Sequence, residues 1–109
     1  MIDADTVRYG ILLVTAASRA EAEVIARTLV TAKLAACVSL YPVFSISCWQ
    51  GDLCQVEEWQ LLIKTDLSQF KRIEATVQEL HSYEVPEIVA LPFVEGSGAY
   101  LAWIGENVE

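Results

Sequence analysis

Val43-Phe44-Ser45-Ile46-Ser47-Cys48-Trp49-Gln50-Gly51-Asp52 reads as one arm and the turn of a β-hairpin, and the fold is worked out from where that hairpin sits. Phe44, Ile46 and Cys48 share one parity and Ser45, Ser47 and Trp49 the other, which is the period-2 alternation of a strand. That parity points Cys48 at the core. Gln50-Gly51-Asp52 supplies the turn, with Gly51 free to take positive φ. Backward, the strand pattern reaches Leu34, interrupted at Pro42, where a bulge or an exposed edge is expected. Forward, Trp59, Leu61 and Ile63 fall on one face, and Gln60, Leu62 and Lys64 on the other.

On either side of the hairpin lie helical patterns. Tyr9 to Thr15 is a continuous apolar run suited to a central strand. Ser18 and Glu21 then make an S-x-x-E capping box ahead of Ala22, Ile25, Ala26 and Leu29, a helix running to about Lys33. After the hairpin, Ser68 is the expected cap of a second helix with the stripe Phe70, Ile73, Val77 and Leu80. Glu87 to Pro92 reads as a short fourth strand, and Ser97 to Glu106 as a last helix grouping Tyr100, Leu101 and Ile104. The order is β-α-β-β-α-β plus a terminal helix. It predicts an α+β, ferredoxin-like split βαβ sandwich over residues 1–109 as a single domain, with both helices on one sheet face. The hairpin is long relative to the outer strands, so its apolar far end is expected to be covered by other copies of the chain.

Composition narrows the function classes. The net charge of −8 and the lack of a basic cluster argue against nucleic-acid binding. No run approaches the about 20 apolar residues of a membrane span. Met1-Ile2-Asp3-Ala4-Asp5 is acidic where a secretory signal is basic, so a cytoplasmic setting is expected. The three cysteines, Cys37, Cys48 and Cys54, are an odd count without a C-x-x-C pair, against a disulfide framework or zinc ribbon. A Cys48–Cys54 bond needs a loop centred on Gly51, whereas a two-residue Gln50-Gly51 turn breaks that register.

Several segments, taken in order, resemble the CutA (divalent-cation tolerance) family. They are Leu34-Ala35-Ala36-Cys37-Val38, Ser45-Ile46 with Trp49-Gln50-Gly51, Glu57-Glu58 with Leu62-Ile63-Lys64-Thr65, His81-Ser82-Tyr83-Glu84-Val85-Pro86-Glu87-Ile88, and Tyr100-Leu101-Ala102-Trp103. Departures from the family pattern are Ser47 in place of Tyr, Ser82 in place of Pro, and Ala17 where Pro often follows Val-Thr. The resemblance implies a homotrimer of ferredoxin-like subunits, architecturally similar to PII signalling proteins, linked to divalent-cation tolerance and copper binding.

The candidate chemistry then centres on a few side chains. His81, the lone histidine, closes the second helix, where it either answers the helix dipole or ligates a metal. With Cys37 and with Glu84 or Glu87 it would form a sulfur, imidazole and carboxylate set suited to copper or another divalent cation of that type. Cys37 and His81 meet only if the second helix ends near the second strand, or across a subunit boundary; the other role for Cys37 is that of a small buried hydrophobe. Trp49, Lys64, Tyr83, Glu87 and Trp103 are the candidate lining of a cleft, with packing or solvation the alternative role for Trp49, Trp103 and Lys64. No G-x-S-x-G, P-loop or H-E-x-x-H pattern is present, and Thr15-Ala16-Ala17-Ser18-Arg19 does not resemble an acylphosphatase loop. The expectation is a protein that is not an enzyme and uses no organic cofactor, with no protein partner identified. A PII-like regulator or scaffold, binding a small ligand or a partner between subunits, is the alternative.

Overall fold

The computed structural model describes residues 8–109. The acidic Met1–Asp5 stretch lies outside them. Within them the chain runs β1 (Tyr9–Ala16), α1 (Arg19–Thr31), β2 (Cys37–Trp49), β3 (Asp52–Asp66), a 3₁₀ turn (Leu67–Gln69), α2 (Phe70–Leu80), β4 (Val89–Pro92) and α3 (Gly98–Asn107). The four strands form one sheet in the order β2-β3-β1-β4, and each neighbouring pair is antiparallel. This is the split βαβ arrangement expected from the element order. β3 separates β1 from β2, and β1 separates β3 from β4.

One sheet face carries the core. Leu12, Val14, Leu61 and Ile63 are fully buried against Ala22, Ile25 and Leu29 of α1 and Ile73 and Val77 of α2. The period-2 and helical stripes therefore meet as predicted, with both helices on that face. β1 is central, and a Cβ at Gly10 would run into the Leu91 carbonyl and the Leu67 side chain, so glycine lets β4 and the 3₁₀ turn close over β1.

Several local expectations are corrected. The second helix is not capped by Ser68. Instead Asp66 accepts from the Ser68 amide and starts the 3₁₀ turn, while α2 itself begins at Phe70 without a side-chain cap. Asp66 loses water on folding, yet the Arg8 guanidinium at 2.8 Å and the Ser68 groups outweigh this and hold its carboxyl below the usual range. The capping box at α1 is half-made: Ser18 accepts from the Glu21 amide, but the Glu21 carboxylate turns away to Ser82. The fourth strand is shorter than expected, beginning at Val89 because Glu87 and Ile88 belong to the loop.

At Pro42 there is no bulge. β2 and β3 stay in unbroken register from Cys37↔Lys64 to Trp49↔Asp52, and Pro42 is tolerated because β2 is a sheet edge. The hairpin closes through Gln50 (φ 52°) and Gly51 (φ 86°), a two-residue loop in left-handed conformation. Cys54 thus opposes Ser47, while Cys48 opposes Leu53, placing the two thiols on opposite faces of the ribbon. All three cysteines are free.

β1 ends opposite Trp59, so the hairpin beyond Val43 and Glu58 has no third strand beside it. Six residue steps from there to the Trp49–Asp52 pair project it about 20 Å. Cys48 is correspondingly exposed rather than in the core, and its parity neighbours Phe44 and Ile46 stand 61% and 64% exposed. The alternation was real, but nothing in the same chain reaches that far.

Candidate functional site

The candidate residues separate into two groups at different places on the sheet. The first forms where α2 ends against the start of α1. The His81 ring is fully buried; its Nε2 lies 2.6 Å from the Thr15 carbonyl oxygen, and its Nδ1 accepts from the Tyr83 amide at 3.0 Å. A carbonyl oxygen only accepts and an amide N–H only donates, so these two contacts suit a ring that donates from Nε2, and the Glu21 carboxylate also lies 3.4 Å from Nδ1. Glu21 closes the same junction, accepting from the Ser82 amide and hydroxyl at 3.1 and 2.8 Å.

From this turn Tyr83 reaches β3, where its hydroxyl donates to Glu58 at 2.6 Å. Glu58 is only 8% exposed, a buried carboxylate held by that bond. Burial first, then the Glu58 bond and the Glu58 and Glu21 charges, push the Tyr83 phenol well above its ordinary pKa. Gln60 donates to the Val14 carbonyl and to Glu87, tying the same loop to β1. Glu84 points outward, exposed.

A consequence for pH follows from the raised phenol. The folded state holds this proton more tightly than the unfolded chain, so its stabilisation is complete below the unfolded tyrosine pKa of about 10. It is lost as pH rises from there through the folded value. In urea titrations from pH 8 to 11, the unmodified chain is expected to lose stability above pH 10 more steeply than Tyr83→Phe. Parallel curves would show that the Tyr83–Glu58 bond does not govern that loss.

The second group lies on the sheet face away from α1 and α2. Cys37 opens β2 directly opposite Lys64, whose Nζ is 4.0 Å from Cys37 Sγ and donates to the Ser39 hydroxyl. Lys64 is paired in turn with Ile11, four residues along β1 from Thr15. That spacing sets Cys37 about 13 Å from the His81 junction along the strands. Cys37, His81, Glu84 and Glu87 therefore do not form one donor set within a chain. Among the described residues no group of three or more His, Cys, Asp and Glu is placed to hold a metal ion.

The expected cleft lining is likewise divided. Tyr83 and Glu87 belong to the His81 junction, and Lys64 to the Cys37 niche. Trp49 stands at the hairpin tip, 46% exposed, and Trp103 stacks on Tyr100 of α3 with centroids 5.7 Å apart. Glu21, Ser39, Glu58 and Gln60 were missed. Ser39 shares the parity of Cys37 and was legible from it. The doubled acid Glu57-Glu58 in an apolar strand was a signal for Glu58. The S-x-x-E spacing reads Glu21 as part of its own helix cap, which hides its role at the junction.

Comparison with known proteins now decides the family. The sequence model described as CutA1 divalent ion tolerance protein matches residues 10–107. The chain belongs to the CutA family. The Divalent-cation tolerance protein CutA of Thermus thermophilus is 45% identical over 98 residues, covering 89% of this chain and 95% of that protein. The solved structure of the periplasmic divalent cation tolerance protein CutA from Archaeoglobus fulgidus superposes with a TM-score of 0.91 at 38% identity, over 93% of this chain and 99% of that one. CutA1 from Oryza sativa gives 0.91 at 32% identity, over 97% and 98%. The CutA segments named from sequence thus map onto both groups: the Leu34–Val38 and Leu62–Thr65 segments build the Cys37 niche, and the His81–Ile88 segment builds the buried junction. No helix among the described residues is long and apolar enough to cross a membrane.

Proposed function

We propose that this CutA chain works as a homotrimer in divalent-cation tolerance, taking up copper-type ions with Cys37 as first donor and a neighbouring chain supplying the others. The observation that carries the assembly is the projecting hairpin, on which Phe44, Ile46 and Leu53 are 61%, 64% and 70% exposed. Apolar ribbon of that length is stable in water only when covered. The sheet also leaves two unlike edges, β2 and β4. Pairing the β2 edge of one copy with the β4 edge of the next is head-to-tail, and a rotation of one third of a turn between copies would close it into a ring of three.

Metal uptake is supported by the family and by a half-buried free thiol at the β2 edge, where a second chain would meet it. Thiolate favours copper among the divalent metals of the first row. His81 is not among the donors on this reading, because both ring nitrogens already have partners within the chain. The same occupancy removes a free general base, which supports a binding protein rather than an enzyme. We place it in the cytoplasm, where three unpaired thiols stay reduced, and cell fractionation checks that.

Native mass spectrometry of the reduced chain, titrated anaerobically with copper, tests the reading. The expected result is a trimer with fixed uptake per chain, lost in Cys37→Ser and retained in His81→Gln. A trimer without stoichiometric uptake, or uptake indifferent to Cys37→Ser, would move the function to a PII-like regulator or scaffold.

A further inference from the structure

The sheet and the projecting hairpin each carry one lone charge on an apolar surface. On the sheet face away from α1 and α2, Lys64 lies level with Ile11 on one side and Cys37 on the other. Leu13, Leu62, Val89 and Leu91 share that face with it. α3 closes over the Tyr9 end, where Gly105 meets the Tyr9 hydroxyl, yet Val89 and Leu91 stay exposed. Among the described residues no carboxylate forms an ion pair with Lys64, whose Nζ donates to the Ser39 hydroxyl.

The hairpin is the reverse case. From Val38 to Ile63 the chain has acids but no lysine or arginine. Phe44, Ile46 and Cys48 point to one side of the ribbon, with Glu57, Gln55 and Leu53 as their cross-strand partners. Glu57 is the single charged residue on that side, and among the described residues it forms no ion pair. It is exposed, as are Phe44, Ile46 and Leu53.

We infer that the Phe44 side of the hairpin docks on the open sheet face of the next copy, where Glu57 becomes the counter-ion of the next copy's Lys64. This contact rests on the homotrimer proposed above and names which two surfaces meet in it. Covering an ammonium or a carboxylate that has no partner is strongly unfavourable. An apolar surface carrying one cation therefore selects an apolar surface carrying one anion. Within one chain the two cannot meet. Glu57 and Lys64 lie on opposite faces of β3, seven residue steps or about 23 Å apart. The contact is head-to-tail: each copy gives its hairpin to one neighbour and receives a hairpin from the other. Three copies closed into a ring leave neither surface uncovered.

The test treats the unmodified full-length chain with a water-soluble carbodiimide, which joins a carboxylate to an amine in direct contact. Peptide mapping of the dimer-mass and trimer-mass bands is expected to show a Glu57–Lys64 isopeptide bond. Charge reversal then weighs the pair. Lys64→Glu and Glu57→Lys each set like charges opposite one another, and each should raise the concentration at which the trimer dissociates at least about 10-fold. The double reversal should return it to within about 3-fold of the unmodified chain. Native mass spectrometry reads the dissociation and circular dichroism the fold. The link is read on the native protein, so it decides even where a reversal fails to fold. An unmodified chain that is monomeric overturns the homotrimer and this contact together. A trimer in which Lys64 links elsewhere or not at all, or in which the folded double reversal is not rescued, overturns the contact and leaves the homotrimer standing.

Discussion

A chain carrying Phe44→Asp and Ile46→Asp together is expected to lose assembly while keeping its fold. Both side chains are more than half exposed in the single chain and lie outside the buried core, so their replacement removes no core contact. In the proposed trimer the same positions are covered. Burying a Phe or Ile side chain contributes about 1.5–3 kcal/mol, whereas an unpaired carboxylate in its place opposes burial strongly. Light scattering should therefore report a mass reduced to one third, with an unchanged circular dichroism spectrum. A trimer that survives both substitutions would show that the hairpin is not what holds the copies together.

Leu61→Ala is expected to have the largest effect on the fold itself. Leu61 is fully buried in the middle of β3, on the face that meets α1 and α2 and opposite Val14 of β1. Truncation there loses transfer energy and leaves a cavity, a cost of about 2–5 kcal/mol in a domain whose total stability is about 5–15 kcal/mol. Urea unfolding at fixed protein concentration measures it, since association would otherwise shift the midpoint. Leu53→Ala provides the contrast. Leu53 is 70% exposed, so in the dissociated chain its truncation should change stability by less than about 0.5 kcal/mol. Similar losses at the two positions would mean that the tip is covered by its own chain.

The two variants separate two kinds of apolar residue that look alike in the primary structure. Leu61 and Ile46 both sit at alternating positions in a strand, yet one is fully buried and the other 64% exposed. The difference is strand length: β1 ends opposite Trp59, and nothing in the chain covers the ribbon beyond it. Parity identifies a face; it does not say whether anything lies against that face. The Cys48 expectation failed for this reason.

Local pattern alone determined most of the architecture. Period-2 alternation, two helical stripes and a glycine turn identify the elements, and the right-handed crossover rule leaves the split βαβ order. Five short segments in register also sufficed to point to the family, because each holds its residue types at set spacings. Tertiary structure alone decided the partners of the polar side chains. Glu21 left its helix cap for Ser82, Asp66 replaced Ser68 at the turn, and Tyr83 found Glu58 across 25 residues of sequence. It also parted Cys37 from His81 and set Lys64 beside the thiol instead. The physical reason is one of range. Backbone propensity and hydrophobic period act between near neighbours in the chain, whereas a hydrogen bond or a shared niche depends on which distant strands become adjacent.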